Sequence, residues 1–205
     1  MTTAAVTHPG LVGGHAEQPD QLYVETRELR VQGFLLFMVS DLVLFSSFIF
    51  AYLYLRNTGQ GWPPPGAPKL DIALAALNSI VLFGSGATMH FALENWKHEH
   101  FIKFANWVMV TIVLGALFLS GQVIEYVKIA AGWGSSGIFG AGFYTLTGMH
   151  GFHVFCGIIF LTILLMQATA GKYTFQKYTG LTLGTLYWHF VDVIWVVLFS
   201  IFYLY

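Results

Sequence analysis

Charge is scarce in this chain. Of its 205 residues only 9% are Asp, Glu, Lys or Arg, while 56% are hydrophobic and the mean hydropathy is +0.66. Soluble domains carry about 25% charged residues, so the composition excludes an ordinary water-soluble fold and points to a membrane protein. The few charges nearly cancel, to a net −1, which leaves no sign of a nucleic-acid partner or a strongly charged substrate. Cysteine is nearly absent. The single thiol, Cys156, excludes an internal disulfide, a Cys-x-x-Cys-His haem attachment and a cysteine pair of the kind that holds an iron–sulfur or dinuclear copper centre. The start of the chain, MTTAAVTHPGLVGGHAEQPDQ, lacks the cationic end and apolar core of a cleavable signal peptide. Residues 1–30 read as a flexible tail outside the membrane. No internal repeat is visible, and no pair of Gly/Pro-broken apolar segments occupies matching halves, as an inverted-repeat transporter requires.

In place of charge the sequence has five long apolar runs, at about 31–55, 72–93, 104–124, 143–166 and 181–205. Each is long enough to cross a hydrocarbon layer about 30 Å thick as a helix of about 20 residues. The runs do not show the short alternating strands of a membrane barrel. The fold class is therefore all-α, an integral bundle of five transmembrane helices spanning 31–205. The first connector, RNTGQGWPPPGAPKLD, contains four prolines that stop a helix and stiffen the loop, and Asp71 follows as an N-cap for the second span. Arg27, Arg30, Lys97, Lys103, Lys172 and Lys177 fall on the N-terminal side of the membrane, against Arg56, Lys69 and Lys128 on the other. Positive charge gathers in cytoplasmic loops, so the N-terminus is expected in the cytoplasm and Tyr205 outside.

The residues of interest are those that a membrane should exclude. Asp41 lies ten residues into the first span, roughly 15 Å deep at 1.5 Å per residue. His150 and His153 are central in the fourth span, and His189 and Asp192 in the fifth. A charged group facing lipid at that depth costs several kcal/mol, so these side chains are expected to point inward and find partners along one interior polar seam. The spacing of three sets His150 with His153, and His189 with Asp192, on shared helix faces. A buried His–Asp pair is either a proton relay or a hydrogen-bonded knot, here between spans four and five; metal ligation needs further convergence from other helices. Asp41 has no ionisable neighbour on its own helix face and is a candidate for proton handling or for a neutral structural acid. Glu125 falls at the outer end of span three, where a solvated carboxylate is cheap. His90 and Glu94 are placed to snorkel at the inner end of span two, and Asn78 to hydrogen-bond another helix. Small residues at 83–87 and 147–153 allow close helix approach.

Several motifs then coincide in order: WPPPG (62–66), LNSIVLFGSG (77–86), GQVIEY (121–126), GFYTLTGMHGFHVFCG (142–157) and YWHFVDVIW (187–195). Together they resemble subunit III of the haem-copper respiratory oxidases, the cytochrome c oxidase subunit III family, over nearly the whole chain from residue 31. Five spans match the short bacterial form of that family. The resemblance implies an accessory subunit that binds no cofactor itself and packs on subunit I, with subunit II and any small subunits or larger respiratory supercomplex beside it. Haem and copper are then expected in those partner subunits. It further implies phospholipid binding, support of proton uptake, protection from turnover-linked inactivation, and a multi-pass place in the bacterial plasma membrane. Asp41 matches the family's buried, carbodiimide-reactive carboxylate, usually glutamate and here one methylene shorter. Glu125, His150, His153, His189 and Asp192 match recurring positions whose role is architectural before it is catalytic.

Rival readings remain at this stage. A quinol oxidase shares the architecture; the GWPPPG loop favours cytochrome c and Asp41 favours quinol. A stand-alone proton-coupled transporter would use Asp41 and the His–Asp pair. A b-haem cytochrome would use His150, His153 or His189.

Overall fold

A computed structural model describes residues 19–58, 70–132, 137–175 and 178–204, with side chains except at 19–26, 131–132 and 138. The WPPPG motif lies outside the described residues. The chain forms five α-helices, α1 (Pro19–Thr58), α2 (Ile72–Lys97), α3 (Phe101–Gly132), α4 (Gly137–Thr169) and α5 (Thr179–Phe199), and ends in a π-helical segment, Ser200–Leu204. Among the described residues there is no strand, and all five helices are long and apolar enough to cross a membrane.

The helices run longer than the apolar stretches because their ends continue past the hydrocarbon region. The clearest case is α1. Helix already covers residues 19–30, which composition had assigned to the flexible tail. Proline suits a first helical position, since its missing N–H is one that no helix turn would satisfy, and ETRELR supplies strong helix formers. At α2 the expected cap is present, with the Leu74 N–H donating to the Asp71 carboxylate at 3.1 Å. Glu99, at φ 61°, turns the chain between α2 and α3 within three residues, and so short a link makes them antiparallel neighbours. Gly171, at φ 69°, closes α4: its N–H donates to the Ala168 carbonyl, and that of Lys172 to the Gln167 carbonyl. These are the paired bonds of a glycine C-cap.

The centre belongs to α5. Half of its most apolar window is buried within the chain, against 11% for α1. In lipid there is no hydrophobic drive between helices, so close packing and interhelical hydrogen bonds hold the bundle. Trp188 and Trp195, two turns apart on α5, supply both. The Trp188 indole donates to Ser85 at 3.0 Å and the Trp195 indole to Ser79 at 2.8 Å, both on antiparallel α2. Trp188 fits between α3 and α4 because Gly115 and Gly157 face it; a β-carbon there would lie 2.8 Å and 3.0 Å from its ring. Trp195 takes the edge of Phe118 from α3 at 4.9 Å. Two further polar contacts tie α2 to α3: Asn78 donates to the Phe118 carbonyl at 3.0 Å, and the Thr88 and Thr111 hydroxyls lie 2.8 Å apart.

Helix α1 is peripheral, packed on α4 and α5. Its outward residues, Leu36, Val39, Val43 and Phe50 among them, are more than half exposed. Ser40, Ser46 and Ser47 satisfy themselves by donating to carbonyls four residues back, at 2.7–2.9 Å. That arrangement lets a hydroxyl sit on a helix face without water. At the helix ends the charges sort as the sequence suggested: Arg27 and Arg30 share one recess with Lys172 and Tyr173, while Lys128 pairs with Asp71 at the opposite end.

Candidate functional site

Asp41 finds its partner on another helix. Its Oδ2 lies 3.5 Å from Nε2 of His153 on α4, and both side chains are nearly enclosed, 11% and 13% exposed. The other imidazole nitrogen, Nδ1, lies 2.7 Å from the Met149 carbonyl. A carbonyl only accepts, so Nδ1 carries a proton and Nε2 is the atom turned to the carboxyl. Phe45 covers the ring at 5.0 Å, and Tyr187 of α5 donates to the His153 carbonyl at 3.1 Å. The carboxyl oxygen and Nε2 thus face each other across the contact of α1 with α4. At 3.5 Å the atoms are within ion-pair range but beyond an aligned hydrogen bond. This pair was invisible to the spacing rule, which compares residues only along one helix.

The fifth-span pair is differently placed. His189 Nδ1 lies 3.6 Å from Asp192 Oδ2, with His189 partly exposed and Asp192 largely enclosed. Asp192 fits against α2 only because residue 86 is glycine; a β-carbon there would overlap its carboxyl group. The expected knot between spans four and five is therefore not made by this pair. Tyr187 makes it instead, through its bond to His153. The reason is angular: at 100° per residue, Tyr187 points away from the face that carries Asp192.

His150 is fully buried, stacked on Trp195 at 5.1 Å and met edge-on by Phe118 at 5.8 Å. Glu125 departs from its expected solvated state. It is 3% exposed, and Tyr203 donates to it at 2.7 Å. The π-helical segment at the end of α5 brings that tyrosine across the C-terminal end of α3, a turn of backbone that no apolar pattern signals. Asn78 bonds between helices as expected, and Glu94 meets Lys97 and His98 at 3.3 and 3.2 Å near the end of α2. At the α1 end of the bundle, burial pushes the Tyr173 phenol up while nearby Arg30 pulls it down, and its hydroxyl donates to Gln167 at 2.7 Å.

The predicted polar residues thus do not fall on one seam. Asp41 and His153 join α1 to α4; His189 and Asp192 lie against α2; His150 sits among aromatic rings of α3 and α5; Glu125 is tied to the C-terminal segment. Among the described residues no three of His, Cys, Asp or Glu gather as a metal site would require. The residues that sequence reasoning passed over are Ser79, Ser85, Trp188 and Trp195. Their signal is a matched period, serines six apart on α2 facing tryptophans seven apart on α5, readable only once the two helices are paired.

Comparison with known proteins agrees with this architecture. The family model described as cytochrome c oxidase subunit III matches residues 18–205. The chain is 36% identical over 181 residues to a cytochrome c oxidase subunit 3 from Thermostichus vulcanus, covering 88% of this chain and 89% of that one. It is 36% identical over 197 residues to the protein of that name from Synechocystis sp., covering 96% and 81%. With the Bacillus subtilis protein the identity is 34% over 192 residues, covering 91% and 90%. With five membrane-crossing helices in the expected order and a match over nearly its whole length, this chain belongs to the cytochrome c oxidase subunit III family.

Proposed function

We propose that this chain is the accessory third subunit of a cytochrome c oxidase in a bacterial plasma membrane. It binds no redox centre, packs on the catalytic subunit that carries haem and copper, associates with phospholipid, and supports proton uptake and durability of the complex during turnover. The observation that carries the reading is the whole-length match to relatives that bear this name. The structure adds support of two kinds. Helix α1 leaves a broad apolar side for lipid or a neighbouring subunit, and the buried ionisable groups Asp41 and His153 are paired between helices. On this reading Asp41, set against His153, is the chain's candidate proton-related carboxylate, and the aromatic packing around His150 has a supporting role.

Purification through a tag on this chain tests the proposal. Haem-bearing subunits and the absorption of a dinuclear copper centre are expected in the same particle. Quinol activity without that copper signal would move the chain to a quinol oxidase, the reading that aspartate rather than glutamate at position 41 favours. A Soret band from the isolated chain, or proton flux by it alone in liposomes, would overturn the accessory role.

A further inference from the structure

Among the buried side chains with polar atoms that lack a protein partner, Gln122, Glu125 and His150 lie near one another in register. Gln122 is 4% exposed, Glu125 3% and His150 fully buried. Both ends of the Gln122 amide, Oε1 of Glu125 and both ring nitrogens of His150 meet no hydrogen-bonding group of the protein. Their positions are linked by register. Tyr126 lies 2.7 Å from Thr147, and Leu119 lies 3.7 Å from where Gly151 would carry a β-carbon. The α3 stretch 119–126 therefore runs along 147–151 of α4, with Gln122 and His150 inside that overlap. On α3, Phe118, Gln122 and Glu125 share one face. Phe118 touches the rings of His150 and Trp195, and Glu125 takes the Tyr203 hydroxyl. Gln122 is thus set between a level formed by His150 and Trp195 and a level formed by Glu125 and Tyr203.

These atoms are enclosed by helices of the same chain, so neither lipid nor another subunit reaches them. A buried donor or acceptor left unsatisfied costs about 1–3 kcal/mol, and native proteins meet such groups with protein or ordered water. The set demands a ligand that both donates and accepts: an amide presents both functions, a carboxylate oxygen accepts, and a neutral imidazole does one at each nitrogen. Water has both functions and is small enough to fit between packed helices, typically making about three hydrogen bonds when buried. We propose that Gln122, Glu125 and His150 form an internal water-binding site between α3, α4 and the C-terminal π-helical segment. The site lies toward the C-terminal end of α3, where Glu125 is one turn from Lys128 and its pair with Asp71 at 3.8 Å. Tyr203, bonded to Glu125, covers that end of the site.

The proposal does not depend on which oxidase the chain serves. It is tested on the complex that co-purifies with the chain, by density at a resolution that shows ordered solvent. Water peaks within hydrogen-bond distance of Gln122, Glu125 and His150 are expected. Direct side-chain bonds among the three with no peak between them would overturn the site. Gln122→Leu gives an independent sign. Where water bridges the set, the change strands its neighbours and lowers the melting temperature of the complex. Where the site is dry, it removes an unsatisfied amide and raises the melting temperature, which counts against the proposal. The volume-conserving Glu125→Gln variant covers a failure of Gln122→Leu to assemble: it is expected to keep the water peaks at Gln122 and His150, and their loss along with full assembly would equally refute the bridged set.

Discussion

The indole N–H of Trp188 donates to the Ser85 hydroxyl, and the ring is buried. Ser85→Ala leaves that donor unsatisfied, so it is expected to destabilise the chain by about 1–3 kcal/mol, read as a lower melting temperature in detergent. An unchanged melting temperature would mean that the indole finds another acceptor. At Asp41 the proposed role involves a proton as well as a contact. Asparagine keeps the side chain's size and can donate to His153 Nε2, but it cannot hold the exchangeable proton. Asp41→Asn is accordingly expected to assemble normally and to alter turnover or turnover-linked inactivation only modestly, measured as activity decay in the purified complex. Loss of the whole complex would instead show that the acid is indispensable to the fold. Sequence alone placed Asp41, His150, His153, His189 and Asp192 at membrane depth. It did not place them with one another, because depth is set along a helix and partnership is set by rotation about it.

At the scale of elements, the seam between α2 and α5 is a ladder of small residues against large ones. Gly86 faces Asp192, while Ser85 and Ser79 face the two tryptophans. A methyl group at position 86 would meet the Asp192 carboxyl, so Gly86→Ala is expected to loosen this seam and reduce thermal stability. Shortening the acid in the double variant Gly86→Ala, Asp192→Ser should recover part of the loss. Full stability of the single variant would show that Asp192 can turn aside freely. Gly171 makes a second, purely backbone case. A side chain at φ 69° costs about 1–2 kcal/mol, so Gly171→Ala is expected to lower stability by that order without touching the core. The five helices themselves were legible from apolar length. Their ends were less so, since the helix from Pro19 begins before the first apolar run, and the π-helical turn at Ser200–Leu204 lies inside the fifth run, where apolar residues continue without marking the change of helix type.

Taken whole, the molecule is a four-helix core, α2 to α5, with α1 laid on α4 and α5. Antiparallel neighbours bring Arg27, Arg30 and Lys172 to one end, and Lys97 ends α2 on the side where Trp96 meets Phe175 of the α4–α5 loop. If that end faces the cytoplasm, a cysteine at Lys97 in a Cys156→Ser background is expected to react with an impermeant maleimide only after the membrane is opened. Labelling of intact cells would reverse the orientation.

The sequence by itself determined that this is a membrane bundle, how many times the chain can cross, which family it resembles and which ionisable residues lie deep. Those properties depend on composition, local periodicity and ordered motifs. Tertiary structure alone decided that Asp41 meets His153, that Asp192 rests on Gly86, that Glu125 is buried under Tyr203, and that Trp188 and Trp195 pin α5 to α2. Each of these joins residues distant in the chain through the rotation and register of two helices, and in a bundle with apolar residues on every side of its helices no stripe of hydrophobicity announces either.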